Sequence, residues 1–139
     1  MFLLNATSLA KNNAVQHLQC DISTYNIDVA LTVESWFRPF IVDEAVSVDN
    51  YNIFRNDRTK RKGGGIAAYV REGLDGKVIV PNPQDSTVRY NNCNLEMMWL
   101  ELVFYKQLFF ILCCYHPPKP RYCATDLQNT CTRAISAPA

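Results

Sequence analysis

Residues 51–72 read YNIFRNDRTKRKGGGIAAYVRE, and how this stretch folds decides how the rest of the chain is laid out. Tyr51 to Arg55 and Gly65 to Arg71 read as strands, each mixing apolar and polar side chains in the way a half-covered sheet requires. Between them Arg55, Arg58, Lys60, Arg61 and Lys62 place five cations in eight positions, and three consecutive glycines follow. The expectation is a β-hairpin whose basic tip can meet phosphates, each contact adding salt-dependent affinity and little sequence preference. A solvated loop is the plain alternative. Gly63-Gly64-Gly65 is no phosphate loop, because no Lys-Ser/Thr follows and the strand-then-helix setting is missing. The glycines are expected to allow the turn and a close approach of the following strand to its neighbour.

On the amino-terminal side, Met1 to Asn5 reads as a short strand, after which Thr7 or Ser8 can cap a helix. Val15, Leu18 and Ile22 fall at i, i+3 and i+7, which predicts an amphipathic helix over about residues 9–24 with His17 on its polar side. Asp28 to Val33 then reads as a buried strand, so strand, helix and strand follow in the βαβ pattern of a sheet covered by helices. Pro39, Asp43 and Glu44 mark a loop before the hairpin. On the carboxyl-terminal side, Asp75-Gly76 predicts a turn and Pro81-Asn82-Pro83 a break. Thr87 to Tyr90, Leu95 to Phe104 and Leu108 to Cys114 read as strands, the last apolar on both faces and therefore expected at the centre of a sheet. Tyr122 to Ile135 reads as a weak helix within a frayed tail over 119–139.

Composition bounds the function classes. With 139 residues, 48% hydrophobic and 19% charged, the chain has apolar material for one core, so one domain or part of one is expected over 1–139. A formal net charge of +1 leaves room only for a local basic patch on any nucleic-acid partner. No run approaches the roughly 18 apolar residues of a membrane helix, which leads to the expectation of a soluble protein of the cell interior, nuclear or cytoplasmic. The six cysteines (Cys20, Cys93, Cys113, Cys114, Cys123 and Cys131) form no CxxC pair and show no zinc-type spacing, so they read as reduced, mostly buried thiols. Asn5-Ala6-Thr7 matches a glycosylation sequon, a reading that needs a secretory route.

Three residues close predicted strands with side chains suited to phosphate chemistry. Glu34 follows the buried strand, where a carboxylate can serve Mg²⁺, a hard ion that takes oxygen ligands and keeps several waters. Its plain alternative is a solvated carboxylate. Asn5 offers an amide that can accept and donate at a metal-bound phosphate or water, or simply make an Asx turn. Tyr115 precedes His116-Pro117-Pro118 and offers a phenol that can donate to a phosphate oxygen as charge builds, or simply ends a strand. His116 and His17 have no positioned carboxylate partner in the sequence and are assigned no catalytic role.

The blocks LLNATSL (3–9), LTVESWF (31–37), YNIFRNDR…GGG (51–65) and LCCYHPP (112–118) occur in an order that resembles the endonuclease domain of non-LTR retrotransposons, in the endonuclease/exonuclease/phosphatase superfamily. The resemblance implies an α/β fold, a partial four-layered α/β sandwich of the DNase I type, truncated before its carboxyl-terminal part. It implies Mg²⁺, with Mn²⁺ as a substitute, held by Glu34 with Asn5, and Tyr115 lining the active site. It implies DNA as partner, bound through Arg55, Arg58, Lys60, Arg61 and Lys62, and a parent polyprotein with a reverse-transcriptase region that the nick would prime. Val33 stands where the family has threonine, and His116 where retrotransposon members often have arginine. The family's Asp-x-Asn and terminal Ser-Asp-His blocks have no counterpart, since Asp126 and Asn129 are wrongly spaced, so the chain is expected to be inactive alone. The alternatives are another phosphoesterase of the superfamily, acting on a phosphoinositide or nucleotide, and a non-catalytic fragment that binds nucleic acid.

Overall fold

Strand β2, Val29–Val33, is buried at every position, because both of its faces are covered. The structure is a computed structural model that describes residues 1–59, 61–79, 96–115 and Gln128. Around β2 lie β1 (Phe2–Asn5), α1 (Ala14–Thr24), a short 3-10 turn (Asp43–Val46), β3 (Tyr51–Asn56), β4 (Ile66–Arg71), β5 (Asp75–Ile79), β6 (Glu96–Phe104) and β7 (Gln107–Tyr115). They make two sheets, a four-stranded one in the order β1-β2-β4-β3 and a three-stranded one in the order β5-β6-β7. Among the described strands only β1 and β2 are parallel, with α1 as their crossover.

Alternation along the central strands sorts the core into two layers. Ala30, Ala67 and Tyr69 meet Val15, Leu18 and Ile22 of α1, whose i, i+3, i+7 stripe is the buried face that the spacing predicts. Val29, Leu31, Val33, Ile66, Ala68 and Val70 point the other way and pack against Met98, Leu100, Leu102 and Cys113 of the second sheet. Thr32 is the polar exception, and its hydroxyl donates to the Ala67 carbonyl at 2.9 Å, so burial leaves it satisfied.

The expected α/β sandwich is overturned. Among the described residues there are seven strands and one α-helix in two small sheets, a mostly β architecture. The βαβ reading applies once, at β1-α1-β2. The residues between β2 and β3 form a 3-10 turn, and β3 with β4 and β6 with β7 are antiparallel neighbours, a pairing that needs no helical crossover. Between residues 1 and 115 helical periodicity occurs in one segment, and α1 is the one α-helix among the described residues there.

Other expectations change locally. The helix starts at Ala14 with Asn13 in the left-handed region, while Thr7 and Ser8 take positive φ in a loop tied to Glu34 and cap nothing. Asp75-Gly76 opens β5 rather than turning, and the turn lies at Gly73, where φ is +90°. Strand β7 is the end strand of its described sheet rather than the centre. Leu108, Phe109 and Phe110 are exposed there, and the packed half is Ile111 to Tyr115. Tyr105 and Lys106 join β6 to β7 with φ of 48° and 60°, the mirror-image hairpin turn, formed without the Asn or Gly that usually announces it. The expected break at 81–83, strand at 87–90, helix at 122–135 and tail over 119–139 lie outside the described residues, apart from Gln128. No described helix is long and apolar enough to cross a membrane. Cys20 and Cys113 are free thiols, and burial pushes the Cys113 thiol up to about 11.

Candidate functional site

Parallel pairing places Asn5 opposite Val33, so the end of β1 stands beside the residue that precedes Glu34. Strand β7 ends at Tyr115, whose hydroxyl hydrogen-bonds the Glu34 carboxylate. The sheet ends therefore bring Asn5, Glu34 and Tyr115 to one edge. Asn5 Oδ1 accepts from the Thr7 amide at 3.2 Å and from the Thr7 hydroxyl at 3.3 Å, the Asx turn that its position allows.

Glu34 and Trp36 hold φ of 58° and 60°, a left-handed backbone that costs a non-glycine residue on the order of 1 kcal/mol or more. Flanking loops impose it. Ser8 and Leu9 donate to the Glu34 and Ser35 carbonyls at 2.8 Å, and on the other side Ser35 and Trp36 donate to the Gly65 and Gly64 carbonyls at 3.2 and 2.8 Å. Gly63, Gly64 and Gly65 have φ of 79°, 69° and 85°, and a Cβ on Gly65 would stand 2.7 Å from the buried Ser35 hydroxyl. The three glycines thus let the hairpin loop lie against the 34–36 segment.

Within this frame Glu34 Oε2 accepts from the Trp36 indole at 2.6 Å and from the Gly64 amide at 3.2 Å. Burial raises the Glu34 pKa, but the hydrogen bonds from Tyr115, Trp36 and Gly64, with the charge of Arg58, outweigh it and hold the group below 4.5. Tyr115 moves the opposite way. Its hydrogen bond to Glu34, then burial and the Glu34 charge, push it up to about 12. At neutral pH the pair is an ionised carboxylate facing a protonated phenol.

Glu96 is the site residue that sequence reading missed. It lies opposite Tyr115 across the β6–β7 ladder, pairs with Arg58, and accepts from the Gly65 amide at 2.9 Å. Its position at the start of a predicted strand carried no sign of this, because its partners lie more than 30 residues earlier.

The five cations part company. Arg55 turns inward, donating to Asp43 at 2.8 Å, Asp57 at 2.5 Å, and the Ile41 and Arg38 carbonyls at 2.6 and 2.9 Å. Its side chain is 11% exposed, so it holds loops together rather than facing a ligand. Arg58 pairs with Glu96 and is mostly buried. Arg61 and Lys62 are exposed, and Lys62 lies 5.7 Å from the Trp36 ring centre. Lys60 and His116 lie outside the described residues, and His17 is exposed on α1.

Among the described residues no three His, Cys, Asp or Glu side chains cluster as a metal cage. Mg²⁺ commonly needs one or two carboxylates, with water and phosphate completing its shell. Glu34, ionised and partly exposed beside Asn5, fits that lighter requirement.

The pKa directions set a pH dependence. A carboxyl held below 4.5 stabilises the fold at neutral pH, and that contribution disappears as pH falls from about 4.5 through the folded value. Tyr115, raised from 10.0 to about 12, contributes up to pH 10 and loses its contribution between 10 and 12. Urea midpoints across pH should therefore fall at both ends. Glu34→Gln should lose its share of the acid step and shift the alkaline one downward. Superimposable profiles for parent and variant would show that the pair is not coupled.

Comparison with known protein families finds none that matches this chain, and comparison with curated proteins finds no match.

Proposed function

We propose that the sheet edge carrying Asn5, Glu34 and Tyr115 is the metal and phosphate end of an Mg²⁺-dependent phosphodiesterase site of DNA endonuclease type, the kind that nicks target DNA for a non-LTR retrotransposon. The observation that carries this reading is an ionised Glu34 held in strained backbone between the strand-end residues Asn5 and Tyr115. Glu34, with the Asn5 amide oxygen, would hold the ion, which when bound neutralises charge on the phosphodiester. Tyr115 stays protonated through the neutral range and can donate to a phosphate oxygen as negative charge develops. Arg58 adds positive charge nearby.

None of these three groups is suited to activate water. An effective general base has a pKa near the working pH, and here Glu34 is held below 4.5 and Tyr115 near 12. General-base help is typically worth about 10²- to 10⁴-fold, so plasmid nicking by this 139-residue chain should stay at background.

The direct test is Mn²⁺ binding followed by electron paramagnetic resonance. The parent should bind one ion, and Glu34→Gln should weaken binding by at least tenfold in protein that circular dichroism shows to be folded. Equal binding by both proteins would sink the metal assignment. One observation favours a second reading: Oε2 of Glu34 already takes two donors and its carboxylate also takes Tyr115, as expected of a strut in a non-catalytic nucleic-acid-binding protein. That reading predicts that the parent binds no Mn²⁺.

A further inference from the structure

The turn Arg38-Pro39-Phe40-Ile41 closes with the Ile41 amide donating to the Arg38 carbonyl at 2.9 Å, and Pro39 holds the first corner. Phe40 occupies the second corner with a relative exposure of 82%, and Val42 beside it is 61% exposed. This exposure is not slackness. Arg55 grips the turn from below through the Arg38 and Ile41 carbonyls, at 2.9 and 2.6 Å. Arg38 reaches across to the hairpin loop and donates to the Arg58 and Arg61 carbonyls at 3.0 and 2.8 Å. A rigid corner therefore presents an aromatic ring to water, fastened to the loop that carries the exposed cations Arg61 and Lys62. That loop in turn is hydrogen-bonded to Glu34 through the Gly64 amide.

An aromatic ring on a turn tied to a basic loop is what an unstacked base requires: the cations meet the backbone phosphates and the ring receives the base face. A turn whose backbone is already held in place loses little freedom on binding. We propose that Phe40 is a base-stacking contact for a nucleic-acid strand whose phosphates meet Arg61 and Lys62, which rests on the phosphodiesterase reading for the direction in which the strand leads. Stacking tolerates any base, so the contact confers affinity and register along the strand rather than sequence preference. It also separates two kinds of contact on one surface, since Phe40 contributes independently of salt and Lys62 contributes through it.

Fluorescence anisotropy with a short labelled oligothymidylate, across a salt series, tests this. Phe40→Ala should weaken binding by about fivefold or more, the low end of what one stacked base contributes, with the salt slope unchanged. Lys62→Gln should lower the slope by roughly 0.7, the value for one phosphate contact on a single strand. Phe40→Trp should bind at least as well as the parent. On an abasic deoxyribose-phosphate strand, parent and Phe40→Ala should bind alike. Phe40 is exposed, so these variants are expected to fold, and circular dichroism checks it. If Phe40→Ala binds oligothymidylate like the parent while Lys62→Gln lowers the slope, the stacking contact is refuted and the phosphate-binding loop survives. An equal loss on the abasic strand also refutes stacking. If the parent binds no oligonucleotide, this proposal and the nucleic-acid reading fall together, whereas the Mn²⁺ result stands separately. Binding to phosphatidylserine vesicles that Phe40→Ala abolishes, with oligonucleotide binding unaffected, would assign the ring to a lipid surface and overturn the proposal.

Discussion

Arg55→Ala lowers the stability of the fold by about 3–5 kcal/mol, the range for removing one partner from a buried ion pair. The guanidinium has five oxygen acceptors on four residues: Oδ1 of Asp43, both carboxylate oxygens of Asp57, and the carbonyls of Arg38 and Ile41. Asp43 is 61% exposed and recovers water when the cation leaves, so its share is small. Asp57 is 10% exposed and is left as a largely buried charge without its counter-ion, which is the main cost. The ring of Phe37, 5.1 Å from the guanidinium carbon, also loses a contact. Arg55→Lys should recover only part of the loss, because an ammonium cannot fork to two carboxylates and two carbonyls at once. Urea denaturation at neutral pH measures both variants. A loss below about 1 kcal/mol in Arg55→Ala, the size seen for exposed pairs, would place Arg55 back among the solvated cations of the tip.

Tyr69→Ala should cost about 3–5 kcal/mol through a different mechanism, loss of a large buried ring with incomplete collapse around it. Tyr69 is fully buried on β4, opposite Ala30 on one side and Ile53 on the other, on the face that receives α1. Its hydroxyl donates to the Val46 carbonyl at 2.9 Å and so pins the 3-10 turn to the sheet. Burial drives its pKa well above the ordinary tyrosine value, in keeping with a phenol that never ionises in the fold. Tyr69→Phe separates the two contributions. It keeps the ring and leaves the Val46 carbonyl short of a donor, which should cost about 1–3 kcal/mol. With total stability of a domain typically about 5–15 kcal/mol, the alanine variant should be largely unfolded by a urea concentration that leaves the phenylalanine variant intact. Equal midpoints for the two would mean that the ring contributes nothing beyond its hydroxyl.

Local order was legible wherever a short period carries it. The Val15, Leu18 and Ile22 spacing identified the helix face, and the apolar runs before Glu34 and Tyr115 placed both residues at strand ends. The hairpin boundaries were legible within a residue, because alternation and glycine are signals read over a handful of positions. These signals say what each segment is. They do not say what lies beside it.

Neighbours were decided by tertiary structure alone. Arg55 and Lys62 are seven positions apart and equally basic in the sequence, yet strand β3 turns one toward Asp57 and the hairpin loop leaves the other exposed. Glu96 joined the site only because β6 pairs with β7 in a register that sets it against Tyr115 and within reach of Arg58. The positive φ of Glu34 and Trp36 follows from hydrogen bonds to residues 8, 9, 64 and 65, which no local preference of Glu or Trp would suggest. The α/β sandwich implied by the resemblance, and the helix-covered sheet read from one βαβ unit, failed for the same reason, since the remaining described strands pair antiparallel. Side-chain period is set by backbone geometry within a segment and can be read along the chain. Pairing, burial of a charge and strain depend on free energies shared between segments far apart in sequence, and those exist only once the sheets have formed.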